Sequence, residues 1–351
     1  TTCGVRQAAE DKAYSLITNA KKANYQNSLI LTGCLSERKD VRKRVQDRVD
    51  IFMPIAELPT LASKLGLGQD QEMLNYLSIK PNHRSGVSAF VPIGNGCNNY
   101  CAYCVVPYAR HREVYRPMSE IVDEVKDLLT EGYKEITLIA QNVNSYQDGE
   151  INFPKLLLAV AGLEGDFWLR FATSHPKDIS DELIDVIAQN DKVCDYVHLP
   201  AQAGNNGVLR KMNRKYKIEE YLLLIDKLKA KIPYVGLSTD IIVGFPGETK
   251  EHFMDMVKVF EKVCYDMAYV AQYSPRPGTA AFQLDDDVPK EEKKWREDEL
   301  MRLLSLSALA NGQYFLNKTV RVLIEGKNKR GEYYGKTETF KSVIIKKATS
   351  G

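Results

Sequence analysis

The run Gly96-Cys97-Asn98-Asn99-Tyr100-Cys101-Ala102-Tyr103-Cys104 places three thiols in a Cys-x3-Cys-x2-Cys spacing on one stretch of chain. Three thiolates on one loop can hold three corners of a cubane 4Fe–4S cluster. The fourth iron is then left without a protein ligand. It can chelate the amino and carboxylate groups of a small molecule, which a four-cysteine electron-transfer centre cannot do. The alternative is structural zinc, which asks for a fourth N or S ligand and usually takes paired Cys-x2-Cys or Cys/His groups. His111 is near, on the basic stretch Tyr108-Ala109-Arg110-His111-Arg112. That alternative describes a non-enzymatic, zinc-holding RNA-binding protein. The seven cysteines are an odd number and unevenly spread. A secreted disulfide scaffold would be shorter and denser in Cys, so a tight group in a reducing compartment reads as metal or catalysis.

These thiols follow a strand-like segment, and the chain around them alternates strand and helix signals. Strands are predicted over 89–94, 135–140, 167–172, 195–199, 236–243 and 268–273. Amphipathic helices lie between them. One is capped by Ser119 and ended by Gly132, with Ile121, Val122, Val125, Leu128 and Leu129 on one face. Another holds Tyr221, Leu222, Ile225 and Leu228. A third follows Thr249, with Phe253, Met256, Val257 and Phe260 together. Six βα units imply a parallel sheet curled into a partial or full barrel, whose functional face is the carboxyl end of its strands. Ahead of it, residues 1–72 read as a small α/β domain. Its strand over 28–33 delivers Cys34, a second strand over 50–54 is stopped by Pro54, and an exposed charged helix runs over 37–48. Residues 73–87 read as a linker, 88–312 as the barrel, with a long helix over 289–312, and 313–351 as a small β-module. Cys194 and Cys264 lie on apolar elements and are expected to be core thiols.

The chain has 351 residues, 44% hydrophobic and 27% charged, which excludes wholesale disorder and collagen-like repeats. No stretch approaches the roughly 18 apolar residues that a membrane helix needs, so no membrane partner is expected. No secretory signal opens the sequence, and a cytoplasmic location is expected. The net charge of +2 conceals a basic end: residues 311–351 carry nine Lys+Arg against three Asp+Glu. Such an end suggests a polyanionic partner.

The cysteine spacing, with the aromatic Tyr103 before the last Cys, resembles the signature of the radical S-adenosylmethionine superfamily. By that resemblance Cys97, Cys101 and Cys104 ligate the cluster, and S-adenosyl-L-methionine binds the open iron and is cleaved to a 5′-deoxyadenosyl radical. Thr2-Cys3-Gly4-Val5-Arg6 and Thr32-Gly33-Cys34 look like two of the three cysteine sites of the methylthiotransferase N-terminal domain, which holds a second 4Fe–4S cluster. The third would precede Thr1, so the sequence is expected to begin inside that domain. Cys104-Val105-Val106-Pro107-Tyr108, Gln141-Asn142-Val143-Asn144-Ser145-Tyr146, Arg170-Phe171-Ala172-Thr173-Ser174-His175-Pro176, Val197-His198-Leu199-Pro200, Ser238 to Thr249 and Tyr273 to Thr279 are similar to the tRNA-modifying branch of that family. The family usually shows Gln-Ser-Gly where this chain has Gln202-Ala203-Gly204, so altered cofactor contacts are expected there rather than lost activity. Residues 313–351 resemble the start of a TRAM module, a tRNA-binding β-barrel, and are too few for a complete one.

The resemblance implies methylthiolation of C2 of N6-isopentenyladenosine beside the tRNA anticodon, with two 4Fe–4S clusters and S-adenosyl-L-methionine. Nearby alternatives are threonylcarbamoyladenosine in tRNA or an aspartate of a ribosomal protein. No side chain is needed as a general acid or base. Arg170, Thr173, Ser174, His198, Gln202, Gly244 and Pro246 are expected to bind the cofactor, with Asp240 as a polar anchor. Arg110, Arg112, Lys336 and Lys341 are expected to contact RNA. Arg116 and the basic residues of 38–48 are further phosphate candidates. The partners implied are tRNA, an electron donor such as flavodoxin or ferredoxin, and a sulfur or cluster-supply system.

Overall fold

The computed structural model describes residues 7–23, 28–68, 76–79, 81–83 and 85–346. They form two compact units, and neither is one continuous stretch. The first takes Thr1–Pro81, Asn95–Val114 and Ser274–Asp285; the second takes Asn82–Gly94, Tyr115–Tyr273 and Asp286–Gly351. The cysteine loop thus belongs with the N-terminal residues and not with the strand that precedes it.

In the first unit, helix α1 (Gln7–Lys22) packs Ala13, Tyr14 and Ile17 against Leu31 and Leu35 and against Val41, Val45 and Val49. Strands β1 (Ile30–Thr32) and β2 (Ile51–Met53) pair in parallel. The charged segment over 37–48 yields a shorter helix, α2 (Lys39–Val45), and it is not wholly exposed. Val41 and Val45, four apart, are buried. That spacing puts both on one face, which the surrounding Lys and Arg residues hide from a simple charge reading. Glu10, 4% exposed, anchors the unit. Its carboxylate accepts from Arg38 at 2.6 Å, from Arg276 at 3.0 Å and from the Tyr14 hydroxyl at 2.8 Å.

The second unit is built on six strands: β3 (Ser88–Pro92), β4 (Glu135–Ile139), β5 (Trp168–Ala172), β6 (Tyr196–His198), β7 (Gly236–Val243) and β8 (Met267–Gln272). β3, β4 and β5 pair in parallel, as do β6, β7 and β8. A parallel bridge from Leu169 to Val193 joins the two halves. The sheet therefore follows chain order, each step crossing over through helices, as expected for a partial βα barrel. β8 does not pair back to β3 among the described residues, so the sheet is open. Its strands fall within two residues of the segments expected. β4 and β5 are almost wholly buried, with polar residues only at their ends and at Thr137 and Arg170. Such runs are what a sheet covered on both faces requires.

The connecting helices are α3 (Met118–Thr130), α4 (Phe153–Ala161), α5 (Asp181–Gln189), α6 (Ile218–Lys231) and α7 (Lys250–Val263). α3 starts one residue before the expected cap: Pro117, not Ser119, occupies the N-cap, where its fixed φ suits the entry. Thr249 does cap α7, accepting from the His252 N–H. The last residue of that turn corrects an expectation. Cys264 is the left-handed C-cap of α7 and is exposed, while Cys194 is buried. Ending a helix turns the cap outward, whatever the apolar run before it.

Helix α8 (Lys290–Gln313) leads into an antiparallel meander of β9 (Leu323–Lys327), β10 (Tyr333–Lys336) and β11 (Ser342–Ile345). The turn from Thr337 to Lys341 lies under the amino ends of the barrel strands. Phe340 stacks on Tyr196 with ring centroids 4.7 Å apart, and the Lys341 ammonium meets Asp266 at 2.6 Å. Gly236 is needed there: a Cβ on it would collide with the Thr339 carbonyl. Phe340 itself takes a left-handed backbone, φ 66°, rare for a bulky residue and tolerated only where packing dictates it. The linker expected over 73–87 lies partly outside the described residues. No helix among the described residues is long and apolar enough to cross a membrane.

Candidate functional site

In the first unit the segment after Asn95 turns sharply at Gly96, whose φ is 88°. A Cβ at Gly96 would run into the Arg112 carbonyl, so only glycine lets the loop start here. The Cys97 N–H then donates to the His111 carbonyl at 3.1 Å, and the Cys104 N–H to the Cys101 carbonyl at 2.9 Å. These bonds close a loop that presents three thiols. Two of the sulfurs already receive donors. The Asn99 side-chain amide points at Cys97 Sγ at 3.4 Å, and the Val106 backbone N–H at Cys104 Sγ at 3.4 Å. Donors of this kind stabilise thiolate charge and tune the centre it ligates.

Burial pushes the Cys104 thiol up to about 12, although the Val106 N–H pulls the other way, and neighbouring Cys101, Cys97 and Cys34 add to the rise. Burial also raises Cys97. Neighbouring thiols, Cys101 buried and Cys97 and Cys104 partly so, become thiolates together when a cationic centre compensates them. The donor set, the amide donors and the crowding fit an iron–sulfur cluster. His111 is exposed and left-handed, with φ 60°, and among the described residues no three His, Cys, Asp or Glu side chains stand at single-ion spacing.

Cys34, 5% exposed, sits just beyond β1 in the same unit, near enough to Cys104 to act on its titration. Cys3 lies outside the described residues. Arg110 was expected on RNA, but its guanidinium turns inward. Nη1 donates to Asn95 Oδ1 at 3.2 Å, and the same group meets the Cys34 thiol and the Tyr76 hydroxyl. A chain-distant thiol left no local signal that could have reassigned it. Arg112 is exposed, as are Tyr100 and Tyr108, whose rings meet edge to face at 6.1 Å.

In the second unit the polar residues expected to bind cofactor line the carboxyl ends of the strands, with one exception. Thr173 and Gln202 both take left-handed backbones, φ 68° and 63°. Strain of this kind at a strand end marks a site where geometry is held for use. The Thr173 hydroxyl donates to the Ala140 carbonyl at 2.7 Å, and Gln202 bridges by backbone to Asp240 and Ile242. His198 Nδ1 pairs with the Ser238 hydroxyl at 2.8 Å, and its Nε2 lies 3.4 Å from Asp240. Gly244 has φ 68° and its N–H donates to Glu248 at 2.6 Å, while Pro246 follows in the same turn.

Among the described residues the buried Ser174 hydroxyl has no partner, nor has Asn142 Oδ1 or His175 Nε2. Burial, with Arg214 and Lys177 close by, drops His175 to about 2, so the ring is neutral. Its Nδ1 accepts from the Lys177 N–H, which leaves the proton on the unpartnered Nε2. Three orphaned polar atoms on two adjacent strand-end loops suit a polar ligand. Sequence reading named Ser174 but missed Asn142 and His175. Their place inside motif segments was the available signal.

Arg170 is the exception. It points toward the amino ends of the strands, donating to Glu135 at 2.7 Å and to the Glu338 and Thr337 carbonyls at 2.8 Å each. Its role is structural, because all three sides of the guanidinium are occupied. Lys341 is likewise paired with Asp266, and Lys336 lies over the Phe340 ring at 3.9 Å. Arg116 is buried, donating to the Pro92 carbonyl at 2.9 Å and meeting Glu124 at 2.5 Å. Arg116 is thus turned away from any RNA, whereas the Lys336 and Lys341 side chains, each ion-paired, stay partly exposed.

A family model described as the radical SAM superfamily matches residues 91–260. The tRNA-2-methylthio-N(6)-dimethylallyladenosine synthase of Clostridium novyi is 41% identical, with 97% of this chain and 80% of the relative covered. The enzyme of the same name from Thermoanaerobacter pseudethanolicus is 43% identical over 94% of this chain and 74% of its own length. Among solved structures, the cobalamin-dependent S-adenosylmethionine radical enzyme OxsB superposes with a TM-score of 0.53 at 9% identity, covering 86% of this chain and 46% of that one. That likeness concerns the fold alone.

Proposed function

The chain belongs to the family of tRNA-2-methylthio-N(6)-dimethylallyladenosine synthases, and from that premise we propose an assignment of its residues. It is a radical SAM transferase that uses 4Fe–4S clusters and S-adenosyl-L-methionine to place a methylthio group on C2 of N6-dimethylallyladenosine in tRNA. The target C2–H is aromatic and not acidic, so a side-chain base has no proton to remove. When bound, the clusters and S-adenosyl-L-methionine supply the radical, the sulfur and the methyl group. What the chain supplies is position, exclusion of water and charge compensation.

Cys97, Cys101 and Cys104 hold the first cluster, with Asn99 and the Val106 N–H directed at the Cys97 and Cys104 sulfurs. Cys34 and Cys3 are this chain's ligands to the second. Ser174, Asn142 and His175 offer unpartnered polar atoms to the cofactor. Thr173, His198, Gln202 and the Gly244–Pro246 turn shape the same strand-end surface. The exposed faces of Tyr100 and Tyr108, with Arg112, suit an extruded base and its phosphate.

Residues 1–72 form the methylthiotransferase domain, 88–312 the barrel and 313–351 a TRAM-like module that grips tRNA. Lys327, Lys329 and Arg330, exposed on the β9–β10 hairpin, carry that grip, beside the exposed Tyr333 and Tyr334. A flavodoxin or ferredoxin type of donor supplies electrons, and a separate system restores sulfur.

The amide donors on Cys97 and Cys104 are the observation that carries the cluster assignment. The test is anaerobic incubation of full-length protein with N6-dimethylallyladenosine-containing tRNA, S-adenosyl-L-methionine and a reductant. Nucleoside mass spectrometry should then show the 2-methylthio product. Cys101→Ala should form neither product nor 5′-deoxyadenosine; 5′-deoxyadenosine from that variant would overturn the assignment.

A further inference from the structure

We propose that Asp240 and Tyr269 are specificity-determining residues for the N6 edge of the reacting base: Asp240 accepts its N6–H, and Tyr269 with Met267 receives the dimethylallyl chain. This deepens the reading above and rests on it; it concerns the edge of the base, not its ring face or its phosphate. Residues paired across neighbouring parallel strands point to one side of the sheet, and alternate residues of a strand share a side. The registers of β6, β7 and β8 set His198 beside Ser238, Ser238 beside Met267, and Asp240 beside Tyr269. All five therefore share one face. The other face holds Thr239, Ile241 and Ala268, all buried, and there the Tyr221 hydroxyl of α6 meets Thr239. The shared face thus turns away from the helices and into the barrel lumen. Toward the amino end the Tyr196 hydroxyl pairs with Ser238 at 2.6 Å, and Phe340 stacks on the Tyr196 ring as a floor.

Inward positions of a packed barrel cover one another. Here Met267 and Tyr269 are each 42% exposed, and the Asp240 side chain 38%. Large apolar side chains left open together on a concave face mark a ligand surface. The Asp240 carboxylate meets His198 Nε2 at 3.4 Å, while Nδ1 of that ring is engaged by Ser238 at 2.8 Å. A carboxylate accepts at several lone pairs, so Asp240 retains capacity for a donor from a ligand. An acceptor and an apolar wall therefore adjoin on β7 and β8. The N6 edge of N6-dimethylallyladenosine offers the complement, one N–H beside an apolar chain. Carboxylate capture of an exocyclic amino group is a regular device of base readout. N6 is borne on C6, one ring atom from C2, so fixing N6 also fixes the direction of the C2–H.

The test measures equilibrium binding of anticodon stem–loop RNAs to full-length protein, reconstituted anaerobically with iron and sulfide. The RNAs carry N6-dimethylallyladenosine, N6-methyladenosine, unmodified adenosine, or O6-dimethylallylinosine, whose ether oxygen replaces the N–H. Wild type should bind the first about tenfold more tightly than each of the others. Equal binding of the first and of unmodified adenosine by wild type would overturn the underlying reading, whatever Asp240 and Tyr269 do. In Asp240→Ala the preference for the N–H over the ether should disappear. Asp240→Asn, whose amide oxygen still accepts, should keep part of it. In Tyr269→Ala the preference for dimethylallyl over methyl should disappear, and Tyr269→Phe should restore it. S-adenosyl-L-methionine affinity is read in parallel. If Asp240→Ala loses that affinity but keeps the wild-type preference for the N–H, Asp240 belongs to the cofactor and the proposal is overturned. Wild-type preferences in both alanine variants overturn it too, as does a wild type indifferent to the ether.

Discussion

Arg170 on β5 and Glu135 at the start of β4 form a buried ion pair, Nε to Oε2 at 2.7 Å, with side chains 3% and 7% exposed. The same guanidinium reaches 167 residues along the chain to the Thr337 carbonyl. One side chain thus joins two barrel strands to the C-terminal meander. Removing it leaves a buried carboxylate and two carbonyls without their donor. Arg170→Met should cost about 3–5 kcal/mol in denaturant unfolding, and Glu135→Gln added to it should recover part of that loss. The single variant should also be cut faster by protease between 315 and 345. Wild-type resistance there would mean that the pair does not secure the meander.

Cys34 is assigned to sulfur supply and not to cofactor cleavage. Cys34→Ala should still form 5′-deoxyadenosine anaerobically, while the methylthio nucleoside disappears from the mass spectrum. Equal product yields from wild type and variant would remove Cys34 from the second cluster.

The basic hairpin between β9 and β10 gives a prediction about salt. Substituting Lys327, Lys329 and Arg330 by Gln removes charge without touching the Thr337–Lys341 turn. The slope of log affinity for tRNA against log salt should shallow by about 2, given roughly 0.7–0.9 per phosphate contact. Lys341→Gln should change that slope far less, because Lys341 is spent on Asp266. Equal slopes for wild type and the triple variant would place the grip elsewhere.

Asp195, at the start of β6, carries a pH signature. Burial, with Glu338 and Asp191 nearby, raises its carboxyl from an ordinary 3.8 to about 6. The folded state therefore favours the protonated form. That contribution is complete below about pH 3.8 and is lost as pH rises through about 6. Above pH 6 the group is charged and unfavourably placed. Asp195→Asn should raise the midpoint of thermal unfolding by about 2 °C at pH 8, after allowance for partial solvent screening. The gain should shrink as pH falls below 6 and vanish below about pH 3.8; a gain independent of pH would assign it to packing instead.

The barrel strands and the cysteine loop were legible because each leaves a local mark. Buried parallel strands read as short apolar runs, and Cys-x3-Cys-x2-Cys is a spacing within one loop. The left-handed cap at Cys264 was harder, since an amphipathic helix gives no hint of where its last residue turns. Arg110, Arg170 and Lys341 were beyond local reading. A basic residue near a basic stretch looks like a phosphate contact until its partner is known. Those partners, Cys34, Glu135 with the 337–338 carbonyls, and Asp266, are remote in sequence or supplied by backbone. Asn142 and His175 stood inside the right segments, but their orphaned atoms become visible only once burial is known.

The turn from Thr337 to Lys341 has a consequence for biosynthesis. It is made after every barrel strand, yet it touches strands made more than a hundred residues earlier. A nascent polypeptide leaving the ribosome can wind its βα repeats one by one, but its underside stays uncapped until this turn emerges. During that interval the Arg170–Glu135 salt link and the Tyr196 ring stand open to solvent, and a chaperone would find them there.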